Sequence, residues 1–223
     1  MHTGAVRKLL PFVPYAVVGL VHLGTLVAGE GTGSSVTKLL IMPALLVAVL
    51  WALRLRVSDL LVFATLGILF SWAGDGLLET PGDVGFLLGL GGFLLAHLAY
   101  LVLFLRPLRE RRIPWFAAAY ALWWVVLVLY LAPHIGSLLV PVAVYGLALA
   151  ASSAAALGTN RHAALGALVF LASDTILAFK LFLPGWDFYP VDVIIMSLYI
   201  AGQGLIAYGA ASRGYRFPSP PLQ

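Results

Sequence analysis

The chain reads as an all-α protein, a bundle of eight transmembrane helices, and three observations lead there. The mean hydropathy is +1.02 and 10% of the residues are charged, against roughly 25% in soluble domains. Apolar runs of about 20 residues, enough to cross the hydrocarbon of a bilayer, recur along all 223 residues. The basic residues gather in alternate loops, the pattern that sets membrane orientation. No polar stretch is longer than a loop, so residues 1–223 are expected to form a single integral membrane domain.

The spans fall at about 9–28, 36–53, 59–78, 84–105, 114–132, 136–157, 162–183 and 189–211. Arg7 and Lys8 before span 1 mimic a signal peptide. The run 9–28 is nevertheless long enough to span, no clear A-x-A site follows it, and more spans come after. Arg54 and Arg56 lie between spans 2 and 3, and Arg106, Arg109, Arg111 and Arg112 between spans 4 and 5. Arg161 lies between spans 6 and 7, and Arg213 and Arg216 follow span 8. Together with Arg7 and Lys8 these are 11 of the 13 basic residues, all on one side. Glu30, Glu79, Asp83, Asp187 and Asp192 collect on the other. Both termini are therefore expected in the cytoplasm, with the chain in a plasma membrane, the inner membrane of a bacterium. The tail FPSPPLQ is expected to be disordered.

An internal duplication is a further expectation. GILFSWAGDGLL resembles GALVFLASDTIL, and Asp75 to Tyr100 is 25 positions, as is Asp174 to Tyr199. Spans 1–4 and 5–8 would then be two parallel repeats, because four helices per half preserve orientation.

Several classes of function are excluded or disfavoured. The net charge of +4 is spread over short loops, which argues against a nucleic-acid partner. The chain has no cysteine, so disulfides, thiolate metal sites and a cysteine nucleophile are out. No G-x-S-x-G is present, which argues against a serine hydrolase.

What remains is polar chemistry inside lipid. Asp75 lies in LLVFATLGILFSWAGDGLL and Asp174 in HAALGALVFLASDTILAFKLFL. An ionisable side chain at mid-bilayer costs roughly 2.5–3.5 kcal/mol on insertion scales, and its default reading is a functional site in the bundle interior. Residues three or four apart share a helix face. Ser71, Asp75 and Glu79 form one stripe on span 3, His97 and Tyr100 one on span 4, and Asp192, Tyr199 and Gln203 one on span 8. His22 on span 1, Lys38 opening span 2 and Ser173 beside Asp174 complete the set. These stripes are expected to converge on one cavity, open to the acidic outer side or laterally to lipid. Asp174 is expected to lie deeper than Asp75.

Plainer roles exist for most of these groups. Ser71 and Ser173 fit bonds to their own backbone, and Gln203 fits interhelical glue. Glu79, Asp83 and Asp187 fit solvated loops, and the six tryptophans fit in part an interfacial belt. Gly74, Gly89, Gly91 and Gly92 fit close helix packing. The two aspartates fit a structural role least, since only Lys38 and Lys180 are near enough in depth to pair with them.

The segments FSWAGDGLL, FLLAHLAYLVLF, GALVFLASDTILAF and SLYIAGQGLI resemble the YhhN-like lysoplasmalogenases, multi-pass membrane proteins of about this length. The resemblance runs over most of the chain and is strongest in spans 3, 4, 7 and 8. It implies a hydrolase that cleaves the vinyl ether of a lysoplasmalogen to a fatty aldehyde and a glycerophospho-base, ethanolamine or choline, with no cofactor. By position Asp75, His97, Tyr100, Asp174, Tyr199 and Gln203 match the family's polar motif residues. Lys38 matches the basic residue opening span 2, but where the family pattern continues with proline this chain has Leu39.

The residue types suit that chemistry. Protonation of the alkene carbon gives an oxocarbenium ion, water adds, and the hemiacetal collapses. One carboxyl held neutral by desolvation serves as the acid, and a second, ionised one stabilises the cation and activates water. Glycosidases divide the work in the same way. Asp174 is assigned as the acid and Asp75 as the base, or the reverse. His97 and Tyr100 would orient a carboxylate or the water, Tyr199 and Gln203 would bind the glycerol or ether oxygens, and Lys38 would hold the phosphate. The implied partners are a lysophospholipid and membrane lipid, with a homo-oligomer left open. Two rival readings stand beside this one. His22, His97, Asp75 and Asp174 are zinc-ligand types for a metal-dependent lipid hydrolase, and midplane carboxylates on parallel repeats also suit a proton-coupled carrier.

Overall fold

Ser58 and Asn160 open two of the helices by accepting the amides of Leu61 (3.3 Å) and Ala163 (3.1 Å), the usual satisfaction of first-turn donors. They belong to a computed structural model that describes residues 8–29 and 31–216, the side chains of 32, 215 and 216 excepted. Among the described residues eight α-helices follow one another: α1 (Val13–Ala28), α2 (Thr32–Ala52), α3 (Asp59–Leu78), α4 (Asp83–Leu105), α5 (Ala118–Ile135), α6 (Leu139–Ala156), α7 (Arg161–Phe182) and α8 (Val191–Arg216). Single 3₁₀ turns precede α1, α5 and α6, and no strand occurs among the described residues. The charges expected at Arg7 and Glu30, the side chain of Arg216 and the tail 217–223 lie outside the described residues.

Helix α2 begins at Thr32, earlier than hydropathy alone indicates. Within the helical polar run GSSVTK, Thr37 returns its hydroxyl to the carbonyls of Gly33 and Ser34. Lys38 therefore lies in the second turn rather than at the helix start. Helix α8 runs on to Arg216.

Among the described residues, seven helical segments are long and apolar enough to cross a membrane. One of them, Trp115–Ala156, is 42 residues long and holds both α5 and α6. Gly136, at φ 62°, separates the two, and the Trp124 indole donates to the Ala143 carbonyl at 2.8 Å between them.

Small residues set the tightest contacts, as they must where lipid gives helices no hydrophobic reason to associate. Helix α3 packs against α4 and α7 against α8 most extensively. A Cβ on Gly92 would lie 2.8 Å from the Gly74 nitrogen, and one on Gly166 would lie 2.7 Å from the Gly202 carbonyl. Asn160 also ties α7 to α8 through the Gly209 carbonyl at 2.9 Å. The main core joins residues of α1 to α4 with residues of α6, α7 and α8, and a satellite of Leu131, Ile135 and Leu183 holds α5 in place.

Candidate active site

The stripe on α3 is real and has a counterpart on α8. Ser71 and Asp75 are buried, 0% and 3% exposed. Asp75 Oδ2 accepts the Tyr199 hydroxyl at 2.7 Å. One turn earlier, Ser71 Oγ accepts the Gln203 amide at 2.9 Å, and Gln203 Oε1 accepts the Tyr100 hydroxyl at 2.6 Å. Two residues one turn apart on α3 are thus read by two residues one turn apart on α8, a ladder across the bundle interior.

The second carboxyl is held from another helix. Asp174 on α7 is half-buried and accepts the hydroxyl of Tyr145 on α6. Ser173 does not bond its own helix; it donates to the Ile195 carbonyl of α8 at 2.9 Å. Behind Tyr145 lies His97, 3% exposed, with its ring against Tyr145 and Phe170. Its Nδ1 meets Ser152 Oγ at 3.0 Å, and Ser152 gives its own proton to the Leu149 carbonyl. Nδ1 therefore carries the histidine proton, and buried Nε2 has no hydrogen-bond partner among the described residues.

Both carboxyls line one cavity of about 720 Å³. Asp75, Asp174, Tyr145 and Tyr199 form its polar inner part, and Phe86, Leu90, Phe93, Leu177 and Met196 are among its apolar walls. Its rim carries two ion pairs. Lys38 Nζ lies 2.7 Å from Glu79 Oε1, whose other oxygen accepts Ser35 Oγ at 2.9 Å. Lys180 Nζ lies 2.6 Å from Asp192 and 3.4 Å from Asp187. Partial burial pushes the Glu79 carboxyl up, but the Lys38 contact and charge and the Ser35 hydroxyl outweigh it and hold the group below its ordinary value. The rim lies at the end of the bundle that bears the α1–α2, α3–α4, α5–α6 and α7–α8 turns.

Of the residues expected in the site, Asp75, Asp174, Tyr199 and Lys38 line the cavity; His97, Tyr100 and Gln203 do not. The expected roles shift accordingly. His97 and Tyr100 bond Ser152 and Gln203 rather than a carboxylate or a substrate water, and Gln203, 0% exposed, is spent within the ladder. The reason is position along the helices: these three face packed rings and the α3–α8 contact, short of where the bundle opens. Tyr199 donates to Asp75 and so positions a carboxyl rather than a glycerol oxygen. Lys38 and Lys180 pair with rim acids, so Glu79 is not merely a solvated loop charge, while Asp187 stays largely solvated, its side chain 77% exposed. Asp174 lies further from a helix end than Asp75, as expected, while Asp75 is the more enclosed by protein, buried where Asp174 is half-buried. His22 bonds Thr37 at 2.9 Å, and no three His, Cys, Asp or Glu side chains converge among the described residues. Sequence reasoning missed Tyr145. Its signal is that it carries the one polar side chain between Ser137 and Ser152, two turns before the serine on the same face.

Residues 33–210 match the model of the YhhN family. Over 141 residues the chain is 34% identical to a protein of Rattus norvegicus named lysoplasmalogenase TMEM86B. That alignment covers 63% of this chain and 58% of the rat protein. No solved structure matches significantly.

Proposed function

Because the chain belongs to the YhhN family, we propose that it is a lysoplasmalogenase-type ether hydrolase, cleaving a lysoplasmalogen to a fatty aldehyde and a glycerophospho-base. The observation that carries this is the pairing of Asp75–Tyr199 with Asp174–Tyr145 on the wall of one cavity. Its volume falls within the roughly 300–1,000 Å³ of small-molecule sites, and its apolar wall suits an alkenyl chain. The name of the rat relative points the same way.

The steps balance with water as the one co-reactant. A neutral carboxyl gives its proton to the alkene carbon, forming a C–H bond and an oxocarbenium ion. The other carboxylate takes a proton from water as the water oxygen bonds the cationic carbon. The hemiacetal then breaks its C–O bond to glycerol: the carboxyl that took the water proton gives it to the glycerol oxygen, and the hemiacetal hydroxyl returns its proton to the first carboxylate as the aldehyde forms, which restores both groups. Asp75 and Asp174 divide the acid and base roles. Each tyrosine hydroxyl fixes the orientation of its carboxyl, and Lys38 attracts the phosphate at the mouth.

The same reading extends to the membrane. The 42-residue segment crosses twice, making eight spans with both termini in the cytoplasm of a bacterial inner membrane. In support, Arg111 donates to the Leu157 carbonyl and Arg213 lies 3.6 Å from Glu110, so loops rich in arginine meet at one end.

The test is aldehyde release from a lysoplasmalogen by detergent-purified protein, beside Asp75→Asn and Asp174→Asn and with a chelator arm. Wild type should release aldehyde without any ion gradient, and each variant should lose about 10²–10⁴-fold. Activity surviving in both variants sinks the carboxyl mechanism. Loss of activity on chelation returns the metal-dependent reading, and no aldehyde from a folded sample returns the carrier.

A further inference from the structure

We propose that the space between α5, α6 and α7, behind the Tyr145–Asp174 bond, receives the far part of the lysolipid's hydrocarbon chain, with α5 as the wall that yields to it. The proposal rests on the reading of the substrate as a single-chain lysophospholipid. It begins with a second hollow. A chamber of about 40 Å³ adjoins the main cavity, and Trp123, Leu127 and Leu131 of α5 and Leu149 of α6 are among its walls. Val142, Tyr145, Asp174 and Ala178 line both spaces, so these four side chains form the partition between them.

The chemistry of the lining selects the occupant. Trp123, Leu127, Leu131 and Ile135 recur at every fourth residue and share the face of α5 turned to the chamber. The Tyr145 hydroxyl and the Trp124 indole on its wall are already spent, on Asp174 and on the Ala143 carbonyl. An apolar hollow stays dry and takes up hydrocarbon. The dispersion contacts that its lining lacks are regained when a chain fills it.

Depth gives the direction. With the headgroup at the rim and the vinyl ether between Asp75 and Asp174, the chain continues inward from the carboxyls. Asp174 lies eight residues from the rim-side end of α7 at Phe182, and Trp123 twelve from the rim-side end of α5 at Ile135. At 1.5 Å per residue these are depths of about 12 and 18 Å, so the chamber extends past the carboxyl. At its present volume it holds about one water-sized group of roughly 30 Å³, and a longer stretch of chain needs a wall to move. α5 is that wall. It packs chiefly on α6 and only slightly on α7, and Pro133 leaves its last turn one amide short. Leu122, Val126 and Leu129 on its other face are exposed. A chain that passes Val142 and Ala178, the small members of the partition, runs under α5 toward the bilayer.

Photolabelling of the full chain in nanodiscs tests this without turnover. One probe is a saturated lysophosphatidylethanolamine with a diazirine near the methyl end of its chain; a second carries the diazirine beside the glycerol. Peptide mapping should place the methyl-end label on Leu127, Leu131 or Leu149 and the glycerol-end label in the main cavity, and unlabelled lysolipid should compete for both. Ala178→Leu narrows the passage and Leu127→Phe fills the chamber. Each should lose the methyl-end label from the chamber and keep the glycerol-end label, which a misfolded variant would not. A methyl-end label confined to Leu122 and Leu129, or to Phe86 and Leu90 of the main cavity, overturns the proposal, as does a chamber label that survives both substitutions. The probes carry no vinyl ether, so chamber labelling without aldehyde release would retain the chamber and sink the hydrolase, and aldehyde release without chamber labelling would do the opposite.

Discussion

Tyr145 and Tyr199 serve different carboxyls from different helices, and each supplies the one hydroxyl its aspartate accepts among the described residues. Replacing either by phenylalanine keeps the ring and its packing, against His97 for Tyr145 and against Phe93 and Phe170 for Tyr199. A hydrogen bond to a charged group is worth about 1.5–3 kcal/mol, so Tyr145→Phe and Tyr199→Phe should each lower kcat by about 10–100-fold with KM little changed. Steady-state aldehyde release checks this; a rise in KM at constant kcat would make the hydroxyls substrate contacts instead. At this scale the aspartates were legible because a carboxyl in lipid is costly and conspicuous. Tyr145 was not, because a tyrosine in an apolar run costs little and its partner lies 29 positions away on another helix. Tyr100 and Gln203 were legible as polar and inward-facing. Helical spacing could not tell that they satisfy one another rather than a ligand.

Glycines show what spacing along an element leaves undecided. Gly74, Gly89, Gly91 and Gly92 read alike in sequence. In the fold a Cβ on Gly74, Gly89 or Gly92 would lie within 2.9 Å of a neighbouring atom, and one on Gly91 would meet nothing within 4 Å. The face each glycine presents depends on how α4 is rotated against α3, which is a property of the pair and not of one helix. Tryptophans divide in the same way. Trp72 and Trp124 donate to the Leu39 and Ala143 carbonyls across helix pairs, while Trp115, 89% exposed, fits the interfacial belt. Gly166→Ala should therefore force α7 from α8, with overpacking of about 1–3 kcal/mol. Gly91→Ala should be neutral or stabilising by about 0.5–1 kcal/mol through helix propensity. Melting in detergent checks both, and equal melts for the two variants would mean that backbone contact does not hold the pair.

Across the whole molecule, the halves resemble each other in packing and part company at the site. Gly67 and Gly166 occupy equivalent places on α3 and α7, and both face the following helix closely. The α3–α4 and α7–α8 pairs are the two tightest, which supports the duplication as a proposal. Yet Tyr199 crosses to Asp75 while its counterpart Tyr100 turns to Gln203, and Asp174 recruits Tyr145. On that proposal one duplicated frame gives two carboxyls unlike surroundings, the condition an acid and a base at one site would require.

The segment Trp115–Ala156 is where hydropathy alone leaves the course of the chain open. Forty-two residues as one straight helix would be about 63 Å long, twice the roughly 30 Å of hydrocarbon. Folded at Gly136, α5 and α6 have 18 residues each, about 27 Å, which on the proposed topology is one crossing apiece. Ser137 then emerges on the same side as Thr80, opposite Arg112, and all three are exposed. The chain has no cysteine, so single substitutions report cleanly. In intact cells an impermeant maleimide should label Thr80→Cys and Ser137→Cys and reach Arg112→Cys only after permeabilisation. A Ser137→Cys that labels from neither side would bury the turn in the bilayer and remove one crossing. An Arg112→Cys labelled from outside would turn the protein over and put the cavity, with its Lys38 and Lys180 rim, on the cytoplasmic face.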